Sequence, residues 1–236
     1  MKDYPTGRLS NNARRVAIAI VASGIVAAPA AYAKSFNNLV IVTPIGLPEI
    51  ARQAGEAMFL HQEVDGSTFL YVEQSDGTRL AVLDVTDPAH IKAKGLVQLD
   101  APGPFDFVST LGNRADLVRF RHGHGDAVLD LHKPSVPTLK RLQGLTLQGP
   151  TLLLGADSFT VTSQPDADAR PTRDYQVVDT ANSQELTRVF DVKRVRQEIA
   201  NGNTGTTFLL TESGLYLIRR PAIEIDAQRR EMNDVN

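Results

Sequence analysis

The chain contains no cysteine. That excludes disulfides, thiolate metal sites and a lipid carried on an N-terminal thiol, so the fold must be held by its apolar core. Long apolar runs are also scarce. Beyond residue 28 no stretch approaches the roughly 20 apolar residues that a spanning helix needs. Between residue 33 and the C-terminal tail a helix is suggested only at 48–55, where Pro48 and Glu49 suit a first turn and Gly55 a stop. There is no Gly-rich phosphate loop, nucleophile elbow or zinc-protease motif. Charge of one sign is not in large excess either. The formal net charge is −2, and it becomes −5 without residues 1–33, which hold four basic residues and one acid. This weakly acidic balance argues against nucleic acid or an anionic membrane as the main partner.

What is present begins at the N-terminus. Lys2, Arg8, Arg14 and Arg15 precede the apolar run VAIAIVASGIVAA at 16–28, Pro29 breaks it, and Ala31-Tyr32-Ala33 follows. A positive start, a short apolar stretch and small residues in this order predict a signal peptide over 1–33, cleaved between Ala33 and Lys34. The competing reading is an uncleaved anchor. Arg14-Arg15 raises the twin-arginine route, although the usual flanking residues are missing and the general secretory route stays open. A periplasmic or secreted protein is expected, with no membrane span after cleavage.

The rest of the chain repeats. LAVLDVTDPAHIKAKGL at 80–96 lies over DAVLDLHKPSVPTLKRL at 126–142, an offset of 46 residues without a gap. Gln176-Val177-Val178-Asp179 marks a third copy, and Tyr216-Leu217-Ile218-Arg219 a trace of a fourth. Upstream of each anchor lies a second run: FLYV at 69–72, LVRF at 117–120, FTVT at 159–162 and FLLT at 208–211. Further back, AMFL at 57–60, FDFV at 105–108 and TLLL at 151–154 open the first three copies. These short runs, rich in β-branched and aromatic residues and divided by Gly, Asp, Asn and Pro, are strands and turns. Ser75-Asp76-Gly77 and Glu212-Ser213-Gly214 suit hairpin turns.

Four short strands per 40–50 residues are the spacing of β-propeller blades. The expected fold is all-β and propeller-like, with about four four-stranded blades over 34–221, followed by a C-terminal tail over 222–236 that is frayed or a short helix. The fourth copy lacks a strand. LVIVT at 39–43, followed by Pro44, is an orphan strand that can complete that sheet and close the ring. An open stack, or closure through a dimer, is the alternative. The anchor LAVLDVTDP resembles the repeat of LVIVD-type bacterial extracytoplasmic propellers, a match that is good at 80–88 and partial at 126–134. The resemblance implies binding or scaffolding at the cell surface or in the periplasm, and it transfers no catalytic residue.

Several residues invite a chemical reading. His122-Gly123-His124-Gly125-Asp126 could offer metal ligands, but the repeat places it over the turn at 76–80, where the glycines have a reversal to make. Asp84, Asp130 and Asp179 recur at one position, as an Asx-turn acceptor would. Asp106 lies in a strand expected to line the centre, with Arg119 and Arg121 as binding or salt-bridge partners. The candidate binding residues are thus Asp106, Arg119, Arg121, His122 and His124, with no metal site or cofactor implied. The expected role is non-catalytic binding of a protein or envelope component through loops such as 164–174 and 197–205. The rival is an exported hydrolase or lyase, with or without assistance from a metal, working in the central channel near Asp106 and His61 or His122.

Overall fold

The computed structural model describes residues 33–36, 39–112, 114–142, 152–153, 160–161, 172–179 and 187–234. The fold is all-β with antiparallel sheets and, among the described residues, one α-helix. Two short N-terminal strands, β1 (Ala33–Phe36) and β2 (Leu39–Val42), belong to the last sheet. The first sheet is a meander of β3 (Ala57–Gln62), β4 (Thr68–Gln74), β5 (Arg79–Asp84) and β6 (Lys92–Gln98). The second repeats it with β7 (Phe105–Thr110), β8 (Ala115–Phe120), β9 (Asp126–Asp130) and β10 (Thr138–Arg141). The 46-residue offset thus lays strand on strand, with the anchors on β5 and β9.

The third copy is described in part. A short pair, β11 (Leu152–Leu153) and β12 (Thr160–Val161), falls inside the expected runs. The next strands are β13 (Arg173–Asp179), β14 (Thr187–Ala200), β15 (Thr207–Thr211) and β16 (Gly214–Arg219). They form a six-stranded sheet in the order β13-β14-β15-β16-β2-β1.

Separate four-stranded units are not what this part of the chain forms. β14 is 14 residues long; 187–195 pairs with β13 and 195–200 with β15. Between these halves Arg194 takes a φ of +55° and the register shifts after Val195, so one bulged strand serves two copies. At the far edge β2 joins as expected of 39–43: Val42 lies opposite Leu217, Ile41 opposite Ile218 and Val40 opposite Arg219.

Packing explains why β4 reads as an unbroken apolar run. Leu70 and Val72 face Phe208, Leu210, Leu215 and Leu217 of the last sheet. On the other face Tyr71 packs with Phe105, Val118, Phe120 and Leu129 of the second sheet. The first sheet is therefore covered on both sides, so both alternating sets of side chains must be apolar. Gly77 marks a close approach between the turn after β4 and the segment after β6. It adopts a φ of +82°, and a Cβ there would sit 2.0 Å from the Gly103 carbonyl oxygen.

The expected helix at 48–55 is only a 3-10 turn, Glu49–Ala51. The tail is an α-helix, α1 (Pro221–Asp234), with Pro221 at its first position, where the missing N–H costs nothing. A polar anchor docks it: Arg219 forks onto the buried Glu224 at 2.6 and 3.2 Å, and the Thr206 hydroxyl donates to the same carboxylate.

Candidate functional site

Among the described residues, two groupings of polar side chains are candidates for a site, one where first strands meet and one at the loop end. In the first, Arg121, just beyond β8, forks onto Asp106 of β7 at 2.8 and 3.2 Å. Its third nitrogen reaches Glu56, just before β3, at 3.2 Å. Arg196 of β14 also bonds Glu56, and Arg194 bonds Glu212 at 2.6 Å. Phe59 of β3 stacks on Phe107 of β7 with centroids 5.4 Å apart, so the first strands of the two sheets lie against each other. Gln197 of β14 holds the other flank of β3, accepting the Met58 N–H at 2.8 Å and donating to the Met58 carbonyl at 2.9 Å.

Of the residues singled out in the sequence, Asp106 and Arg121 are joined to each other. Arg119 lies opposite Asp126 in the β8–β9 ladder and bonds it at 2.7 Å, a buried pair. His122 and His124 occupy a turn, Arg121–Gly123 and the residue after it, with His122 at a φ of +58°. Among the described residues no three His, Asp or Glu side chains are placed to hold a metal ion. Asp84 and Asp130 accept the N–H two residues on, from Thr86 at 3.1 Å and His132 at 2.8 Å, which is Asx-turn geometry.

The residues that sequence reasoning missed are Glu56, Arg196 and Glu73. A carboxyl in the apolar run TFLYVEQ was the available signal for Glu73. Opposite Ala57 in the ladder and fully buried, it makes no hydrogen bond of good geometry through either oxygen among the described residues. Burial pushes it up to about 8, while the Arg121 charge and the Gly77 N–H pull the other way. Asp116 of β8 is also pushed up to about 8 by burial, and among the described residues neither of its oxygens makes a hydrogen bond of good geometry.

The second place is a cleft of about 650 Å³ at the loop end. Gln62 and the turn 64–67 after β3 form one wall, Gly202 and Asn203 of the turn after β14 another, and Ala227 and Arg230 of α1 the third. Thr86, beyond β5, completes the rim. Asn203 donates to Gln62 across it at 3.2 Å, tying the first and last sheets together. Asp65 is held below the usual carboxylate range by the Ser67 N–H. Of the two loops expected to bind, 197–205 supplies a wall of this cleft, though 197–200 is still strand. Most of 164–174 lies outside the described residues.

The chain matches no protein-family model, no curated protein and no solved structure.

Proposed function

We propose that the protein is an exported, non-catalytic binding protein of propeller-like architecture that takes its partner, a protein or envelope component, in the loop-end cleft. The observation that carries this reading is the construction of the cleft: turns of the first and last sheets and α1 converge on it, though they lie far apart in sequence. Its volume of about 650 Å³ falls in the range of ligand sites, roughly 300–1,000 Å³. At the centre, by contrast, Asp106, Arg121, Glu56 and Arg196 are engaged with one another. Closure into a four-bladed ring is part of the proposal, and the pairing of β2 with β16 supports it, as does the stacking of the last, first and second sheets. The resemblance of 80–88 to the LVIVD-type repeat agrees with it. So does the N-terminal signal pattern, which supports a periplasmic or secreted location.

The test places a photo-crosslinking side chain at Val64, 84 % exposed at the cleft, and separately at Val136, 56 % exposed on the second sheet. Incubation with the native envelope should yield a defined adduct from Val64 only, lost on Asn203→Ala with Arg230→Ala. Equal labelling from both positions, or none from Val64, refutes the cleft as the binding site. The rival hydrolase or lyase rests on one observation, the buried Glu73, whose carboxyl is pushed up to about 8 by burial within the field of Arg121, Glu56 and Asp106. That reading requires Glu73→Gln to abolish a turnover detectable in an ester, glycoside and uronate substrate panel.

A further inference from the structure

We propose that the Ala33–Lys34 bond is a processing site which the folded chain protects, so that the leader is removed before the last sheet is completed. The small residues Ala31 and Ala33 mark this bond for a signal peptidase. In the fold the same bond lies within β1, with Ala33 opposite Val42 and Lys34 opposite Ile41. β2 cannot yield easily, because on its other side Val42 and Ile41 pair with Leu217 and Ile218 of β16, and Ile41 is fully buried. A peptidase takes its substrate as an extended strand whose backbone groups pair with the enzyme's own cleft. Backbone groups of β1 that already pair with β2 are not available to it, so cleavage requires β1 to be lifted off.

Two consequences follow. A chain exported unfolded presents the bond freely and closes its sheet afterwards, whereas a chain folded before export carries the bond already paired. The geometry therefore favours the general secretory route over the twin-arginine route. After cleavage only Lys34, Ser35 and Phe36 remain beside β2, and a very short edge strand carrying a lysine gives a poor template for edge-to-edge association.

The experiment uses the full 236-residue chain and purified signal peptidase in detergent. Precursor diluted from urea directly into peptidase is compared with precursor allowed to refold first, and the new N-terminus is read by mass spectrometry. Cleavage at Ala33–Lys34 should be at least about tenfold slower after refolding, which corresponds to an opening cost of about 1.4 kcal/mol or more. A second variant carries six Gly/Ser residues inserted between Phe36 and Leu39, which uncouples β1 from β2 and leaves the β2–β16 ladder intact. Its refolded form should be cut as fast as the unfolded chain. Equal rates for refolded and unfolded wild type, cleavage at another bond, or an insertion that keeps the circular dichroism spectrum and the protection would each overturn the proposal.

Discussion

Replacing Asp116 by Asn should stabilise the protein, and the gain should depend on pH. Asp116 is fully buried in β8, opposite Thr110 and Leu129, and faces the interface that contains Tyr71 and Val118. Neither oxygen makes a hydrogen bond of good geometry among the described residues, and the nearby Thr110 hydroxyl offsets only part of the burial that pushes the carboxyl from 3.8 up to about 8. The folded chain therefore holds its proton more tightly than the unfolded chain does. Between about pH 4 and pH 8 the unfolded state releases that proton while the folded state keeps it, so stability is complete below this window and falls through it. The loss is about 1.4 kcal/mol per pH unit, or about 4 kcal/mol by pH 7 as an upper limit that water entry and relaxation reduce. Asn fills the same volume and cannot ionise. Asp116→Asn should match wild type near pH 4 and exceed it by about 2–4 kcal/mol at pH 7, which at this size raises Tm by about 5–15 °C. Urea unfolding followed by circular dichroism from pH 4 to 9 measures it. If Asp116→Asn destabilises equally at every pH, the carboxylate is ionised and paired in the folded state, and the reasoning fails.

Other perturbations act through packing, strain and charge. Ile41→Asp buries a charge in β2 and should cost about 3–5 kcal/mol, and deleting 39–43 should expose the edge of β16 and produce association in light scattering. A monomer with unchanged Tm after that deletion would remove β2 from any closing role. Gly77→Ala must hold a positive φ and displace the Gly103 carbonyl, so a loss of about 2–4 kcal/mol by thermal unfolding is expected. Arg121→Ala removes the fork on Asp106 while Glu56 keeps Arg196, and should cost about 2–3 kcal/mol, part of it recovered when Asp106 is also made neutral.

The paired strands of the first two copies were legible because their pattern is local. Both faces of β4 and β5 are buried, so the apolar runs are continuous, and Asp84 and Asp130 recur because each closes the same turn onto the N–H two residues ahead. β2 was legible for a different reason: the last copy lacked a strand and one unpaired run remained. β14 was not legible as a shared strand. Its charged residues alternate with apolar ones as in any half-exposed strand, and its double role arises only when β13 and β15 claim different halves. One trace was available. Val192 and Val195 are both buried, three residues apart where a regular strand requires an even number, and that odd step is the bulge at Arg194.

The polar sites were legible only in the parts that sit on one repeat. Asp106 and Arg121 lie in the same copy, and their pairing follows from the β7–β8 hairpin. Glu56 and Arg196 come from strands of other copies, so nothing local announces that they meet Arg121, and the network exists only because β3 lies between β7 and β14. The cleft shows the same limit more strongly, since its walls are turns whose composition is that of any exposed loop. What separates those turns from the others is where α1 docks. Glu224 fastens the helix to Arg219 and Thr206, and that contact carries Ala227 and Arg230 over the turns at 64–67 and 202–203. Because the docking is polar, no apolar stripe revealed it. A buried carboxylate on a docking helix therefore decides which loops of this protein share a cleft, although it lies outside the cleft itself.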